Sequence, residues 1–284
     1  MAPADREQLL GLLAMLGRGP VAVITGAGLS TGSGIPAYRD RHGQWQHAQP
    51  IQHQDFLKSA ATRRRYWARS FVGWATMAGA QPNPGHRALA GLESRGVVST
   101  VITQNVDGLH HAAGSRSVIE LHGGIRNVRC LSCEARFPRS QVQEWLTRAN
   151  PDFDHDQART ARMAPDGDAH LVDTVYAAFE VPDCPACGGT IKPDVVFFGD
   201  NVPRERVAVA QHAMESANSL LVVGSSLMVY SAYRFVEQAH RLGKPVIAIN
   251  RGVTRADPLL ALKIEEDCAT VLAELAADKM IRYR

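Results

Sequence analysis

The sequence predicts an α/β fold, a doubly wound parallel sheet with a small module inserted into it, and three features lead to that reading. Short β-branched runs alternate with helical patterns along the chain. Each run passes straight into a polar or Gly-rich turn. Four of the five cysteines form two Cys-x-x-Cys pairs inside one proline-bearing, acid-rich stretch. Val- and Ile-rich runs of strand length, apolar on both faces, belong to parallel strands covered by helices on either side.

Taken in order, strands are expected at Val21-Ala-Val-Ile-Thr25, Val97-Val-Ser-Thr-Val-Ile-Thr103, Ser219-Leu-Leu-Val-Val223 and Pro245-Val-Ile-Ala-Ile249. The stretch from about Arg126 to Thr190 breaks this rhythm with Pro138, Pro151, Pro165, Pro182 and all four paired cysteines. It reads as an inserted module at 126–190, which makes the main domain discontinuous, 1–125 and 191–284. Its middle, Asn150-Pro-Asp-Phe-Asp-His155 through Met163-Ala-Pro-Asp-Gly-Asp168, is too polar for core and reads as loop. No internal repeat or low-complexity tract interrupts the pattern.

A chain of 284 residues with 45% hydrophobic composition can bury a large core and one small extra lobe. A formal charge of +3 is close to neutral at this size and argues against nucleic acid as a specific partner. No apolar run approaches the roughly 18 residues of a membrane span. Met1-Ala-Pro-Ala-Asp-Arg-Glu-Gln8 carries acids and lacks an apolar stretch, so it does not read as a secretory signal. Paired cysteines suited to metal fit a reducing compartment, and the expected location is cytoplasmic.

The pairs Cys130/Cys133 and Cys184/Cys187 can each aim two thiolates at one point, and together they complete a tetrahedron around Zn²⁺. Four thiolates leave no open position, so such a zinc would hold structure rather than perform chemistry. Two redox dithiols or two disulfides remain alternatives. A haem attachment is excluded because Glu134 and Gly188, not histidine, follow the pairs.

After the first strand comes Gly26-Ala-Gly28-Leu-Ser30-Thr-Gly32-Ser-Gly34-Ile-Pro36. Gly26 and Gly28 allow a sharp turn and a close approach to a pyrophosphate. The strict dinucleotide fingerprint is not met, since Thr31 stands where its third glycine would fall, and no Walker lysine follows. A plain structural turn is the competing reading. The other strand ends favour a ligand. Thr103-Gln-Asn105-Val-Asp107, Gly224-Ser225-Ser226 and Ile249-Asn250-Arg-Gly252 all place small or amide residues where open sheets bind nucleotides.

On these residues the sequence resembles the sirtuins, NAD-dependent protein deacylases. The matching stretches are Gly26-Ala-Gly28-x-Ser30-x-x-Ser33-Gly34-Ile-Pro36, Thr103-Gln-Asn105-x-Asp107 and Glu120-Leu-His122-Gly123. Both cysteine pairs, Lys192-Pro-Asp-Val-Val-Phe-Phe-Gly-Asp200 and Gly224-Ser-Ser-Leu227 match as well, in the family's order, from about Val21 to Cys268. Pro50-Ile-Gln-His-Gln-Asp55-Phe, Arg65-Tyr-Trp-Ala-Arg69 and Ala164-Pro-Asp-Gly-Asp168 resemble the class II, sirtuin-4-like branch, which carries a long insertion between its cysteine pairs.

The resemblance implies a Rossmann-like NAD-binding domain, a structural zinc ribbon, and an acyl-lysine protein substrate laid as a strand between them. It implies transfer of the acyl group to ADP-ribose with release of nicotinamide. From the chain itself a monomer is expected, with no membrane and no specific nucleic acid partner. His122 is the expected general base, since an imidazole near its ordinary pKa of about 6.5 is poised for that work. Read alone, a histidine before two glycines is better explained by structure. Asn105 and Asp107 are expected to hold the nicotinamide amide, with Ile35 beside the ring, although Asp107 could equally cap a helix. Gln104 is assigned to the ribose, and Ser225 with the Gly26–Gly28 turn to the phosphates. Ala27, Ser30, Thr31, Pro36, Tyr38, Arg39, Gly224 and Ser226 complete the cofactor set. Asn250, Arg251 and Gly252 fall near the adenosine, as does Cys268, which otherwise reads as a small core residue. Val196, Phe198 and Gly199 border the peptide, though Val195-Val-Phe-Phe198 also reads as a buried strand.

Two departures matter. The family's Asp-Phe-Arg after Ile-Pro is here Ala37-Tyr38-Arg39, which removes a carboxylate from the loop over the ribose; Asp40 is near but out of register. Tyr66-x-x-Arg69 has the spacing of a pair that some sirtuins aim at acidic acyl groups, and residues i and i+3 share a helix face. A packed Tyr and a solvated Arg is the alternative. Mono-ADP-ribosyl transfer at the same NAD site is the rival activity, and a non-enzymatic NAD or zinc module the third reading.

Overall fold

The computed structural model describes residues 11–12, 14, 17, 19–46, 50–153, 164–167 and 176–278. The amino-terminal segment read for a secretory signal, and Asp168 of the branch motif, lie outside them.

Six strands form the main sheet: β1 (Val21–Thr25), β2 (Val98–Thr103), β3 (Val118–Glu120), β7 (Ser219–Val223), β8 (Val246–Ile249) and β9 (Leu262–Ile264). Every pairing is parallel, in the order β3-β2-β1-β7-β8-β9. The chain builds outward from β1 on one side, then returns to β7 and builds outward on the other. The switch point is therefore the β1/β7 seam, where the two following loops diverge and leave a crevice.

Side-chain alternation sends each strand into two cores. Val21, Val23, Leu221, Val223, Ile247 and Ile249 face α4 (Pro84–Ser94) and α9 (Cys268–Ala277), joined by Leu89, Leu92 and Leu272. Ala22, Ile24, Leu220, Val222 and Ala248 face α7 (Arg204–Ser216) and α8 (Tyr230–Arg241), meeting Met214, Phe235 and Val236. Helix α4 begins where Asn83 Oδ1 accepts from Gly85 N and His86 N while Asn83 N donates to His86 Nδ1, a reciprocal cap with Pro84 at its first position.

The second sheet is antiparallel, with β4 (Gly123–Cys130) between β5 (Arg136–Pro138) and β6 (Ile191–Val195). Gly123 pairs with Val195, so this sheet runs a few residues past both ends of the 126–190 stretch. Its core is shared with helices far upstream, α2 (His53–Lys58) and α3 (Ala60–Gly79). Phe56, Trp67 and Phe71 pack with Val128, Ile191, and Val142 and Leu146 of α6 (Arg139–Ala149). Each fully buried large apolar side chain contributes about 1.5–3 kcal/mol, so these helices hold the lobe together.

The segment read as too polar for core departs from that expectation. Ala164, Pro165 and Gly167 are buried. Gly167 has φ +76°, and a Cβ there would meet Met77 at 2.8 Å. It is a loop, as its Pro-Asp-Gly composition demands, but one pressed against α3 and β4 rather than lying free in solvent.

Candidate functional site

The loops after β1 and β7 close on each other through backbone. Gly26 N donates to Val223 O (3.1 Å) and Gly28 N to Gly224 O (2.9 Å). A Cβ on Gly28 would sit 2.8 Å from Gly224 O, and Gly224 itself has φ +58° with only 2.3 Å to Leu29 N. Glycine is required on both sides of the seam, because only loops without Cβ atoms can approach this closely; the N–H groups of Gly26, Gly28 and Gly224 are spent on Val223 O, Gly224 O and Ile249 O.

Behind this turn lies a buried polar network. Ser30 Oγ donates to Asp107 Oδ2 at 2.7 Å and accepts from Asn105 Nδ2 at 3.0 Å; Asn105 Nδ2 also donates to Gly26 O at 3.1 Å. Both N–H bonds of the Asn105 amide are thus committed to the loop, and Oδ1 is its free polar atom. Asp107 Oδ1 accepts from Leu109 N (2.9 Å), the first residue of α5 (Leu109–Ala112), whose N-cap position is Gly108 rather than Asp107.

Two histidines support the network without charge. His86 Nδ1 accepts from Asn83 N, so its Nε2–H points to Ser30 Oγ at 3.4 Å. His110 donates Nε2–H to Thr25 Oγ1 at 2.8 Å, because that hydroxyl spends its own proton on Thr103 Oγ1. His110 Nδ1 has no partner among the described residues. Burial pushes His86 down to about 4, opposed by Asp107, and His110 down to about 3, helped by His86 and His111.

His122 stands at the end of β3, where the chain turns into β4. Its Nδ1 lies 3.1 Å from Gln104 O, which can only accept, so Nδ1 carries the proton and Nε2 the lone pair. Ser231 Oγ, in the first turn of α8, donates to Nε2 at 2.8 Å. Burial pushes the imidazole down to about 4, with Gln104 O opposing and Arg206 adding to the depression. That differs from the expected value near 6.5: the sequence shows no burial, and the histidine is neutral well below neutral pH. Gln104 also ties the seam together, its Nε2 donating to Ser225 Oγ at 2.7 Å.

The Gly-rich loops, Ser30, Asn105, Asp107 and His122 open on one cavity of about 350 Å³ at the carboxyl ends of β1 and β7, whereas His86, His110 and Ser231 do not line it. Gly26, Ala27, Gly28, Ser30, Thr31, Ile35, Tyr38 and Arg39 line it from the first loop. Gln104, Asn105, Asp107 and His122 line it from the β2 and β3 ends, and Gly224, Ser225 and Ser226 from β7. Asn250, Arg251 and Cys268 line it as well, as do Val196, Phe198 and Tyr66. Cys268 is buried, its Sγ–H donates to Ile249 O at 3.4 Å, and burial pushes the thiol up to about 12.

Four expected residues are not on the cavity wall: Pro36, Gly199, Gly252 and Arg69. Gly252, at φ +92°, lets its loop pack on Arg41, where a Cβ would come within 2.1 Å of Arg41 O. Gly199, at φ +78°, lies against Gln52. Arg69 is buried beside the wall rather than solvated. Part of the expected peptide edge is already used, since Val196 N donates to His122 O and His53 N to Phe198 O, both at 2.8 Å.

Several wall residues escape sequence reasoning. Trp45 meets Tyr38 and Phe198 edge-on at 6.0 and 5.8 Å between ring centres, and Arg39 stacks over its ring at 4.0 Å. Pro165 and Asp166 reach the wall from the long insertion. Ala37 and Asp40 both line the cavity, and Asp40 Oδ1 accepts from His42 N and Gln44 N within its own turn. Ser231 lies beyond the Gly-Ser-Ser-Leu motif, and nothing in the sequence points it at His122.

The cysteines converge. Cys130 Sγ is 3.5 Å from Cys187 Sγ and Cys133 Sγ 3.8 Å from Cys184 Sγ, with all four sulfurs within 4.8 Å of one another. A tetrahedral Zn²⁺ with Zn–S near 2.3 Å requires sulfur separations of about 3.8 Å. A disulfide requires about 2.05 Å, and all four thiols are free. The set is positioned to bind one zinc ion, at the far edge of the small sheet and outside the residues that line the cavity.

Comparison with known proteins agrees with this geometry. The family described as "Sir2 family" matches residues 26–231. A "NAD-dependent protein deacetylase" of Xanthomonas axonopodis pv. citri (strain 306) is 55% identical over 255 residues, covering 90% of this chain and 86% of that protein. A "NAD-dependent protein deacetylase 2" of Bradyrhizobium diazoefficiens is 52% identical over 274 residues, covering 96% and 98%. Among solved structures, one described as "Sir2-p53 peptide-NAD+" superposes with a TM-score of 0.74 at 30% identity, covering 93% of this chain and 95% of that one. Another, "Sir2 bound to acetylated peptide", gives 0.75 at 29%, covering 96% and 99%. Motifs, topology and relatives converge on one conclusion: the chain belongs to the Sir2 family.

Proposed function

We propose that this protein is an NAD-dependent protein lysine deacylase, with acetyl-lysine among its substrates. The observation that carries the reading is the convergence of His122, Asn105 and Asp107 with the Gly26–Gly28 turn in one cavity at the β1/β7 switch point. Relatives at 52% and 55% identity carry the matching name, NAD-dependent protein deacetylase, and so support deacylation over mono-ADP-ribosyl transfer.

The residues present fit NAD. The Gly26–Gly28 turn and Gly224, lacking Cβ atoms, would let the pyrophosphate approach closely, with the Ser225 hydroxyl placed to donate, since its oxygen accepts from Gln104 Nε2 and Leu227 N. Asn105 Oδ1 would accept from the nicotinamide amide, whose environment Asp107 and Ile35 complete. Asn250, Arg251 and Cys268 would border the adenosine. Bound NAD supplies a glycosidic bond activated for cleavage, with nicotinamide as leaving group. His122 would then take a proton from a ribose hydroxyl at Nε2, the nitrogen that its bond to Gln104 leaves unprotonated. The four cysteines would hold zinc as a staple and stand outside the chemistry.

For the substrate, the wall formed by Val196 and Phe198 would border the acyl-lysine peptide. Tyr66 would meet the acyl group, and Arg69, one helical turn on and buried behind it, would set the preference among acyl charges. We assign the chain to the class II, sirtuin-4-like branch on its motifs at 50–56, 65–69 and 164–168. In this reading the long insertion serves the active site through Pro165 and Asp166. We read 126–190 as the zinc module, and the working form as a cytoplasmic monomer.

The test is peptide-stimulated nicotinamide release from NAD on a mixed acyl-lysine library. Release by the wild type and its loss in His122→Ala support the reading. Release that needs no acyl-lysine, or that survives in the variant, overturns it.

A further inference from the structure

We infer that Ser231 is a positioning residue for His122, fixing the ring through Nε2 and accepting from that nitrogen once it carries a proton. This rests on the assignment of His122 as the base.

The tautomer is fixed by chemistry. Gln104 O accepts from Nδ1, so in the neutral ring Nε2 is a bare acceptor. The Ser231 hydroxyl at 2.8 Å must therefore donate to it. Among the described residues Ser231 is the one hydrogen-bonding partner of Nε2. The imidazole is thus clamped at both nitrogens, by a carbonyl from the β2 end and by a hydroxyl from the opening turn of the 12-residue helix α8. Ser231 is held in turn by helix packing, since Ala232, Phe235 and Val236 on the following turn are fully buried.

A hydroxyl differs from every other small side chain in being able to reverse this bond. Nε2 has one lone pair, so the Ser231 proton turns away before a sugar hydroxyl donates there; when Nε2 takes that proton, the sugar oxygen keeps the bonding pair and a new N–H forms. Ser231 can then rotate about its C–O bond and accept from that N–H, giving up no proton of its own. The reversed bond has a charged donor and is the stronger of the two. This matters because the surroundings oppose an imidazolium: burial and Arg206 both push the pKa down, and no carboxylate bears on the ring. Arg206, on α7, is the charged group facing His122, its Nη1 donating to Leu121 O at 3.2 Å. Gln104 O favours the protonated ring, and the reversed Ser231 bond would favour it too.

The experiment has two readouts on Ser231→Ala and Ser231→Thr. NMR titration of ring-labelled histidine follows His122 directly and does not require turnover. The expected result is a downward displacement of its midpoint in Ser231→Ala, by about half a pH unit or more, with Ser231→Thr close to wild type. In steady state, kcat on an acetyl-lysine peptide is expected to fall about tenfold in Ser231→Ala, with KM for NAD nearly unchanged and the acid limb displaced toward lower pH. Ser231→Thr should recover most of the rate. An unmoved midpoint and acid limb in Ser231→Ala overturn the inference, as does a loss of rate equal in both variants. If His122→Ala remains active, the base assignment fails while the titration still decides whether Ser231 acts on the ring.

Discussion

Ser30 Oγ lies 2.7 Å from Asp107 Oδ2 and joins the Gly-rich loop after β1 to the Asn-x-Asp turn after β2. It is the hinge pin of the proposed nicotinamide site, because the same oxygen also accepts from Asn105 Nδ2 and from His86. Ser30→Ala leaves an amide N–H, an imidazole N–H and a carboxylate oxygen each short of a partner in a buried place. We expect a loss of about 2–3 kcal/mol in stability and at least tenfold weaker NAD binding, read by denaturation and calorimetry. Unchanged NAD affinity would mean that the network supports the fold alone.

The three depressed histidines give the fold an acid limit. Each is neutral in the folded state down to about pH 4 or 3, whereas in the unfolded chain it takes a proton near pH 6.5. Between those values the unfolded state binds more protons, so stability rises with pH and is lost as pH falls below about 6.5. At pH 5 the deficit is about 2 kcal/mol for each group. His110→Gln should flatten the slope of stability against pH by about one group's share, whatever it does to stability at pH 7. An unaltered slope would show that His110 takes up a proton inside the fold.

The zinc assignment predicts one metal ion per chain by elemental analysis. Cys184→Ser should lose it and lower Tm, and a strong chelator should do the same to the wild type. The damage reaches α2 and α3, because their Phe56, Trp67 and Phe71 share a core with Cys130 and Cys184. A metal-free protein with wild-type Tm would contradict a structural role.

Acyl preference is tested on Tyr66 and Arg69. If Arg69 sets the charge preference, Arg69→Ala lowers turnover of carboxyl-bearing acyl peptides relative to acetyl by about tenfold, on the order of 1.4 kcal/mol. An unchanged ratio would assign Arg69 to packing, in line with its burial off the cavity wall.

Replacing Pro165-Asp166 by Gly-Gly tests the insertion. Both residues face the cavity, so KM for NAD or peptide should rise several-fold while bound zinc stays the same. Unaltered KM values would leave the segment as cover for Met77 and Ile125.

What could be read from the sequence is the part that depends on local chemistry. Strands such as Val21–Thr25 and Ser219–Val223 announce themselves as short β-branched runs, and the turns after them need glycine where two backbones touch at Gly28 and Gly224. The cysteine spacing already implied a single cluster. What escaped depends on long-range packing. Nothing local ties Phe56 and Trp67 to a zinc ribbon whose strands begin more than fifty residues later. The polarity of the 164–167 segment concealed its burial, since Pro and Gly can be buried at a turn without apolar periodicity. The His122 pKa was set by burial, which a motif does not reveal, and its contact with Ser231 crosses 109 positions of sequence.

The most direct test of the account is the stoichiometry of one reaction: nicotinamide, deacylated peptide and acyl-ADP-ribose measured together from NAD and an acetyl-lysine peptide. The account predicts one of each per turnover, all three lost together in His122→Ala. Free acetate formed without nicotinamide, or ADP-ribose attached to protein in place of acyl-ADP-ribose, would contradict it.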